Sequence, residues 1–110
     1  PAAEHARIYA QLVPESGRAC VEIAAWWMQL PQVTRVLPDT VSCPLLFLAG
    51  SRDRLTPASM CRANAELYEV KAEYREYAEH GHWLIGEPGW AAVAADCLAW
   101  LDAKQVRSSS

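Results

Sequence analysis

The chain has 110 residues, of which 52% are hydrophobic and 21% are charged. This composition predicts one small globular domain and excludes a disordered chain. The net charge is -3 and no basic stripe is present, so nucleic acid is not expected to be a partner. The longest apolar stretches, "PLLFLAG" and "WAAVAADCLAWL", are too short to span a bilayer as helices.

Two helices are predicted in the first third of the chain. The first covers residues 2–12 and is interrupted by Pro14. The second starts at Glu15 and Ser16 and ends at Pro31. Its apolar face comprises Ala19, Cys20, Ile23, Ala24, Trp27 and Met28. The segment 1–40 is therefore predicted to be helical, with a connector before the next element.

A strand, a helix, a second strand and a closing helix are predicted for residues 41–103. The run from Pro44 to Gly50 is almost continuously apolar, which predicts an interior parallel strand buried on both faces. Thr56 is predicted to be the N-cap of the following helix, which runs to about residue 68. Alternation over 73–78 predicts the second strand. The closing helix carries one apolar face, formed by Trp90, Val93, Ala94, Cys97, Leu98 and Leu101.

This order of elements predicts an α/β fold with two parallel strands flanked by helices, since a helix between two strands normally connects parallel neighbours. Two parallel strands alone leave edges and faces uncovered. We therefore expect a sheet that is incomplete by itself and is completed by another polypeptide portion or by another copy of the chain. Residues 104–110 are predicted to be a polar, frayed tail.

The cysteines indicate the compartment. Cys20, Cys43, Cys61 and Cys97 are far apart and form no C-x-x-C pair, so zinc-site spacing is absent. We expect buried, reduced thiols in a cytoplasmic protein, and no signal peptide is visible. The chain begins at Pro1 and not at methionine, from which we expect a processed or partial polypeptide.

Asp53 and His82 are the residues most suited to chemistry. Each follows the carboxyl end of a predicted strand, at the sheet edge where parallel α/β proteins gather catalytic groups. A carboxylate bound to one imidazole nitrogen leaves the other nitrogen free to take a proton from a nucleophile. The alternative is that Asp53 forms its own turn and His82 is an unrelated surface residue.

Other side chains suggest weaker hypotheses. His80 and His82 could join Asp53 at a metal, but the spacing is short and no fourth ligand follows, so neither a metal nor another cofactor is expected. Cys20 and Cys97 lie on apolar helix faces and are interpreted as core residues and not as nucleophiles.

The tryptophans allow two interpretations. Trp26 and Trp27, next to Met28, form a cluster that either packs in the core or lines an apolar acyl or aromatic substrate pocket. Trp83 follows His82 and is either a wall of the site or a packing anchor. All three tryptophans are therefore candidate substrate-binding residues.

The segments "PLLFLAGSRDRLTP" and "YREYAEHGHWLIGEPGW", with the closing helix, resemble the C-terminal end of an α/β-hydrolase. In that family a G-x-x-D-x-x-x-P pattern carries the catalytic acid, and Gly50, Asp53 and Pro57 match it. A G-H-W pattern carries the catalytic histidine, matched by Gly81, His82 and Trp83. "LVPESGRA" resembles the helical, cap-like segment that often precedes the acid strand.

The resemblance implies a catalytic triad of which this chain holds two members. Asp53 would be the orienting acid and His82 the general base, whereas the G-x-S-x-G nucleophile elbow and the H-G oxyanion segment are missing from the 110 residues. We therefore expect a fragment of a hydrolase whose activity, most often esterase activity, needs a nucleophile elsewhere. Whether that nucleophile is Ser, Cys or Asp stays open, and an aspartate would imply epoxide or haloalkane hydrolysis.

Two non-catalytic hypotheses remain beside this one. A truncated hydrolase remnant could self-associate and cover its open sheet edge with another copy. Alternatively, a small binding domain could hold an apolar ligand in its aromatic cluster, with an affinity that does not depend on Asp53.

Overall fold

The computed structural model describes residues 2–25 and 36–108. The chain divides into two compact units, Pro1–Val36 and Leu37–Ser110. The first unit is helical, and the second contains the sheet and both predicted site residues.

The described part of the first unit contains two short helices, α1 (Ala2–Tyr9) and α2 (Gly17–Ala24). Ser16 caps α2, because its hydroxyl accepts a hydrogen bond from the backbone N–H of Ala19 at 3.3 Å. Helices are present at both predicted places, but both are shorter than predicted: α1 ends at Tyr9 instead of residue 12, and α2 ends at Ala24, with Ala25 as its C-cap, instead of at Pro31. The predictions for Trp26, Trp27 and Met28 lie outside the described residues.

The second unit is built on two parallel strands. Strand β1 (Leu45–Gly50) pairs with β2 (Ala72–Tyr77) in a register that begins with Leu45 opposite Ala72 and ends with Gly50 opposite Tyr77. The remaining elements are the 3₁₀ turns Pro38–Thr40 and Glu69–Lys71, α3 (Ala58–Glu66) and α4 (Trp90–Ser108). The predicted mixed α/β arrangement, two parallel strands flanked by helices, is confirmed.

Helices α3 and α4 contact opposite faces of β2. Side chains alternate between the two faces of a strand, so Tyr74 and Tyr77 point to opposite sides. On one face the Tyr74 hydroxyl oxygen lies 3.3 Å from the carbonyl oxygen of Ala58, and the guanidinium of Arg62 lies 5.1 Å from the centre of the Tyr74 ring. On the other face the Tyr77 hydroxyl donates to the Asp96 carboxylate at 3.0 Å. Burial and the neighbouring Asp96 raise the pKa of Tyr77 to about 12, so this hydroxyl stays protonated at neutral pH.

The core of the described residues is small. Its buried hydrophobic residues are Ala49, Ala65 and Val93. The prediction that β1 is buried on both faces is wrong for Leu45–Leu48, which are half-buried, although Ala49 and Gly50 are buried. In the described part of the chain the sheet has two strands, and each of them is therefore an edge strand.

The cysteines are less buried than predicted. Cys20 and Cys43 are exposed, Cys61 and Cys97 are half-buried, and all four are free thiols. The interpretation of Cys20 as a core residue is therefore wrong in the structure. Its helix α2 has no buried residue, so the apolar periodicity of that segment is not matched by burial.

Two element boundaries also differ from the prediction. The N-cap of α3 is Pro57, and the helix begins at Ala58, because the Thr56 hydroxyl binds Asp53 and does not cap the helix. Helix α4 continues as far as Ser108, so most of the predicted polar tail is helical.

Among the described helices, none combines the length and the apolar character needed to cross a membrane.

Candidate active site

Asp53 and His82 meet at the carboxyl edge of the sheet. Asp53 lies in the loop after β1, His82 lies in the loop after β2, and Nδ1 of His82 is 2.8 Å from Oδ2 of Asp53. The predicted approach of these two side chains is confirmed. The catalytic role assigned to them stays a prediction.

The Asp53 carboxylate has a full set of hydrogen-bond partners. Its Oδ1 accepts the backbone N–H groups of Leu55 at 2.8 Å and Thr56 at 2.9 Å. Its Oδ2 accepts the Thr56 hydroxyl at 2.8 Å as well as the imidazole of His82. An ionised carboxylate offers about four acceptor positions. Asp53 therefore closes its own turn and orients His82 at the same time, and it has no vacant position for a metal ion.

These contacts keep Asp53 ionised. Its side chain is 8% exposed, and this burial by itself raises the pKa of the carboxyl group. Hydrogen bonds from His82, Thr56 and Leu55 lower the pKa by more, so that it lies well below its usual range. A negative charge consequently faces the imidazole at neutral pH.

The hydrogen bond to Asp53 determines which nitrogen of His82 can act as a base. A carboxylate can only accept, so Nδ1 carries the proton and Nε2 of the neutral ring carries the free electron pair. The His82 side chain is 54% exposed, and no residue in the described ranges hydrogen bonds to Nε2. The arrangement can therefore remove a proton from a group placed beside Nε2.

Gly50 allows the two loops to approach each other. A Cβ atom at this position would overlap the backbone carbonyl oxygens of His80 and Gly81. The same approach lets the backbone N–H of Arg52 donate to the carbonyl of His80 at 2.9 Å. The loop that carries His82 thus packs directly on the end of β1, which places it next to Asp53.

Glu76 connects the two strands below this edge and was not predicted from the sequence. Its carboxylate accepts the hydroxyls of Ser51 at 2.6 Å and Tyr74 at 2.7 Å and the guanidinium of Arg62 at 2.7 Å. These three hydrogen bonds lower the pKa of Glu76 to about 2. The sequence signal for this residue was a glutamate within the alternating pattern of β2. Alternation alone did not predict that the Ser51 hydroxyl would donate a hydrogen bond to it.

Glu87 was also missed. Its carboxylate accepts hydrogen bonds from the backbone N–H groups of Gly81 at 2.8 Å and Trp83 at 2.9 Å, on both sides of His82. The available signal was an isolated acid in "HGHWLIGEPG", a segment otherwise rich in glycine and apolar residues.

Trp83 is anchored by its own loop. Its indole lies so close to Gly86 that a Cβ atom there would overlap the ring, and the residue is 36% exposed. This contact supports the packing interpretation, while the exposed part of the ring remains available at the site. The structure tests no substrate contact for Trp26, Trp27 or Trp83.

His80 and Cys61 take no part in the hydrogen bond between Asp53 and His82. The His80 ring packs edge-on against Tyr77, with centroids 5.6 Å apart, and its Nε2 is buried. Within the described ranges, no three His, Cys, Asp or Glu side chains are grouped to hold a metal ion.

Burial, together with the charge of Asp53, raises the pKa of Cys61, whose thiol contacts the carbonyl of Leu48. Cys61 is therefore a poor nucleophile.

The chain was compared with models of protein families, with curated proteins and with solved structures. None of the three comparisons found a match. The α/β-hydrolase relationship accordingly stays a prediction from the residues.

Proposed function

We propose that this chain supplies the acid and the histidine of a nucleophilic hydrolase, with Asp53 as orienting carboxylate and His82 as general base and acid. The observation that carries the proposal is the 2.8 Å hydrogen bond from Nδ1 of His82 to a buried, ionised carboxylate, which leaves Nε2 open. A carboxylic ester is the proposed substrate. The nucleophile belongs to a further polypeptide portion, which is the proposed partner.

With a hydroxyl or thiol nucleophile, the proposed reaction proceeds in two halves. Nε2 of His82 takes the nucleophile's proton as the new bond to the ester carbonyl carbon forms, and Asp53 stabilises the imidazolium. The imidazolium then gives this proton to the departing alcohol oxygen, which leaves an acyl-enzyme. Water, deprotonated by the same nitrogen, releases the carboxylic acid and regenerates the nucleophile.

Apolar side chains near the pair favour an uncharged substrate. Leu55 is 72% exposed and Ile85 is 79% exposed, and both belong to the loops that carry Asp53 and His82. With the exposed part of Trp83 they provide apolar contact area at this edge. A neutral ester with an apolar acyl group suits these apolar residues.

The test is release of p-nitrophenol from p-nitrophenyl acetate and p-nitrophenyl octanoate. We expect hydrolysis by the chain when it is joined to the portion that bears the nucleophile, which is called the joined protein below. The chain alone should show no hydrolysis above background, because the described residues place no nucleophile beside Nε2. Hydrolysis by the chain alone at the rate of the joined protein would contradict the division of the triad. Absence of hydrolysis of both esters by the joined protein would contradict the esterase proposal.

Self-association without catalysis is the second candidate, and the half-buried state of Leu45–Leu48 favours it. An uncharged edge strand such as β1 is a template for pairing with another chain. Sedimentation equilibrium should then show a dimer or a larger species instead of the 12.2 kDa monomer.

Two matched substitutions localise this association. A charge on an edge strand opposes pairing, so Leu46→Lys should weaken the association about tenfold or more. Val70→Lys is the control, because Val70 is 98% exposed and lies outside both strands. A monomer with cooperative unfolding, or equal effects of the two substitutions, would count against this candidate.

A further inference from the structure

The carboxylate of Glu87 spans the backbone on both sides of His82. Its Oε2 accepts the N–H of Gly81 at 2.8 Å, and its Oε1 accepts the N–H of Trp83 at 2.9 Å. Hydrogen bonds to an ionised acceptor are stronger than those between neutral groups. One side chain therefore holds the N–H groups of both residues that flank His82.

Short contacts hold Glu87 in place. Its own backbone N–H donates to the carbonyl of Trp83 at 3.1 Å, and its carbonyl accepts the N–H of Trp90, the first residue of α4, at 3.0 Å. A Cβ atom at Gly81 would lie 3.1 Å from Oε1, so the carboxylate packs closely against the backbone that it binds. Glu87 thus joins the loop of His82 to the start of a 19-residue helix.

His82 needs this backbone support because its ring has few contacts of its own. The side chain is 54% exposed, and its polar contacts are with Asp53 and the Thr56 hydroxyl, the latter 3.2 Å from Nδ1. The ring is therefore positioned by these polar contacts and by the backbone that carries it.

We propose that Glu87 is a positioning residue for His82: by binding the two N–H groups that flank the histidine, it keeps Nδ1 within hydrogen-bond distance of Asp53. The catalytic meaning of this role rests on the proposed function. The positioning itself is a property of the 110-residue chain and can be measured without any turnover.

The experiment is ¹⁵N and ¹H NMR of the full chain, comparing the wild type with Glu87→Ala and Glu87→Gln. In Glu87→Ala the amide protons of Gly81 and Trp83 should exchange with solvent about tenfold faster or more, since each loses a charged acceptor. The imidazole ¹⁵N shifts of His82 should move from the Nδ1–H tautomer toward the Nε2–H tautomer, and the low-field Nδ1–H resonance should broaden or vanish.

Glu87→Gln keeps the size of the side chain and one acceptor oxygen. We expect it to protect one of the two amides and to produce a smaller tautomer change, and it provides the test if the alanine variant does not fold. Glu79→Gln is the matched control, because Glu79 lies in the same loop, is 75% exposed and pairs with Arg52. This control should leave the amides of Gly81 and Trp83 and the tautomer of His82 unchanged.

The alternative outcomes are distinct. Unchanged exchange of both amides in a folded Glu87 variant would overturn the backbone contacts, and faster exchange with an unchanged His82 tautomer would overturn the positioning role. A tautomer change without ester hydrolysis by the joined protein would support the positioning of His82 while rejecting the proposed esterase function.

Discussion

Ester hydrolysis by the joined protein is expected to fall about 10⁴-fold when His82 is replaced with alanine, because the substitution removes both the base that activates the nucleophile and the acid that protonates the leaving group. The measurement is kcat/KM for p-nitrophenyl acetate. Since Asp53 acts through His82, Asp53→Asn should also lower the rate strongly. The double substitution should be little worse than His82→Ala alone.

His5→Ala is the control for this prediction. His5 is an exposed histidine of α1 in the helical unit, so its removal tests for a general effect of losing an imidazole. It should leave kcat/KM unchanged. Activity of His82→Ala within a few-fold of the wild type would remove His82 from the mechanism, and additive losses in the double substitution would mean that Asp53 and His82 act independently.

Gly50→Ala is expected to produce the largest loss of stability among single-methyl additions. The new methyl group would overlap the carbonyl oxygens of His80 and Gly81, which are backbone atoms and cannot rotate away as a side chain can. Overpacking of this kind costs about 1–3 kcal/mol, which lowers the melting temperature by roughly 4–8 °C per kcal/mol in a small domain. Thermal unfolding followed by circular dichroism measures the change.

Gly17→Ala is the matched control, because nothing lies within 4 Å of a Cβ atom at that position. Alanine favours a helix over glycine, so this substitution should leave the stability unchanged or raise it slightly. Equal melting temperatures for the wild type and Gly50→Ala would show that the loop after β2 does not press on the end of β1.

The sequence predicted the strands and the meeting of Asp53 with His82 because both follow from general rules. A continuous apolar run defined β1, and polar residues that follow neighbouring parallel strands collect at one edge. The observed strands, Leu45–Gly50 and Ala72–Tyr77, lie within one residue of the predicted ranges. The strand positions and the edge position of Asp53 and His82 therefore follow from pattern.

The contacts around the pair could not be predicted in this way. Thr56 fits the composition of an N-cap, but its hydroxyl instead binds Asp53, a choice decided by the loop geometry. Glu76 binds Ser51, which is 25 residues away, and Glu87 binds backbone N–H groups within an irregular loop, so neither contact follows from the repeat of a single helix or strand. The exposure of Cys20 depends on which elements cover α2, and periodicity contains no such information.

The separation of 29 residues between Asp53 and His82 has a consequence for folding. Closing a loop of this length costs conformational entropy before any contact is gained, and the parallel pairing of β1 with β2 must cover that cost. The hydrogen bond between the two side chains therefore depends on the pairing of the strands. Any condition that separates the strands should abolish the base together with the sheet, and the loss of the Nδ1–H proton signal would report it.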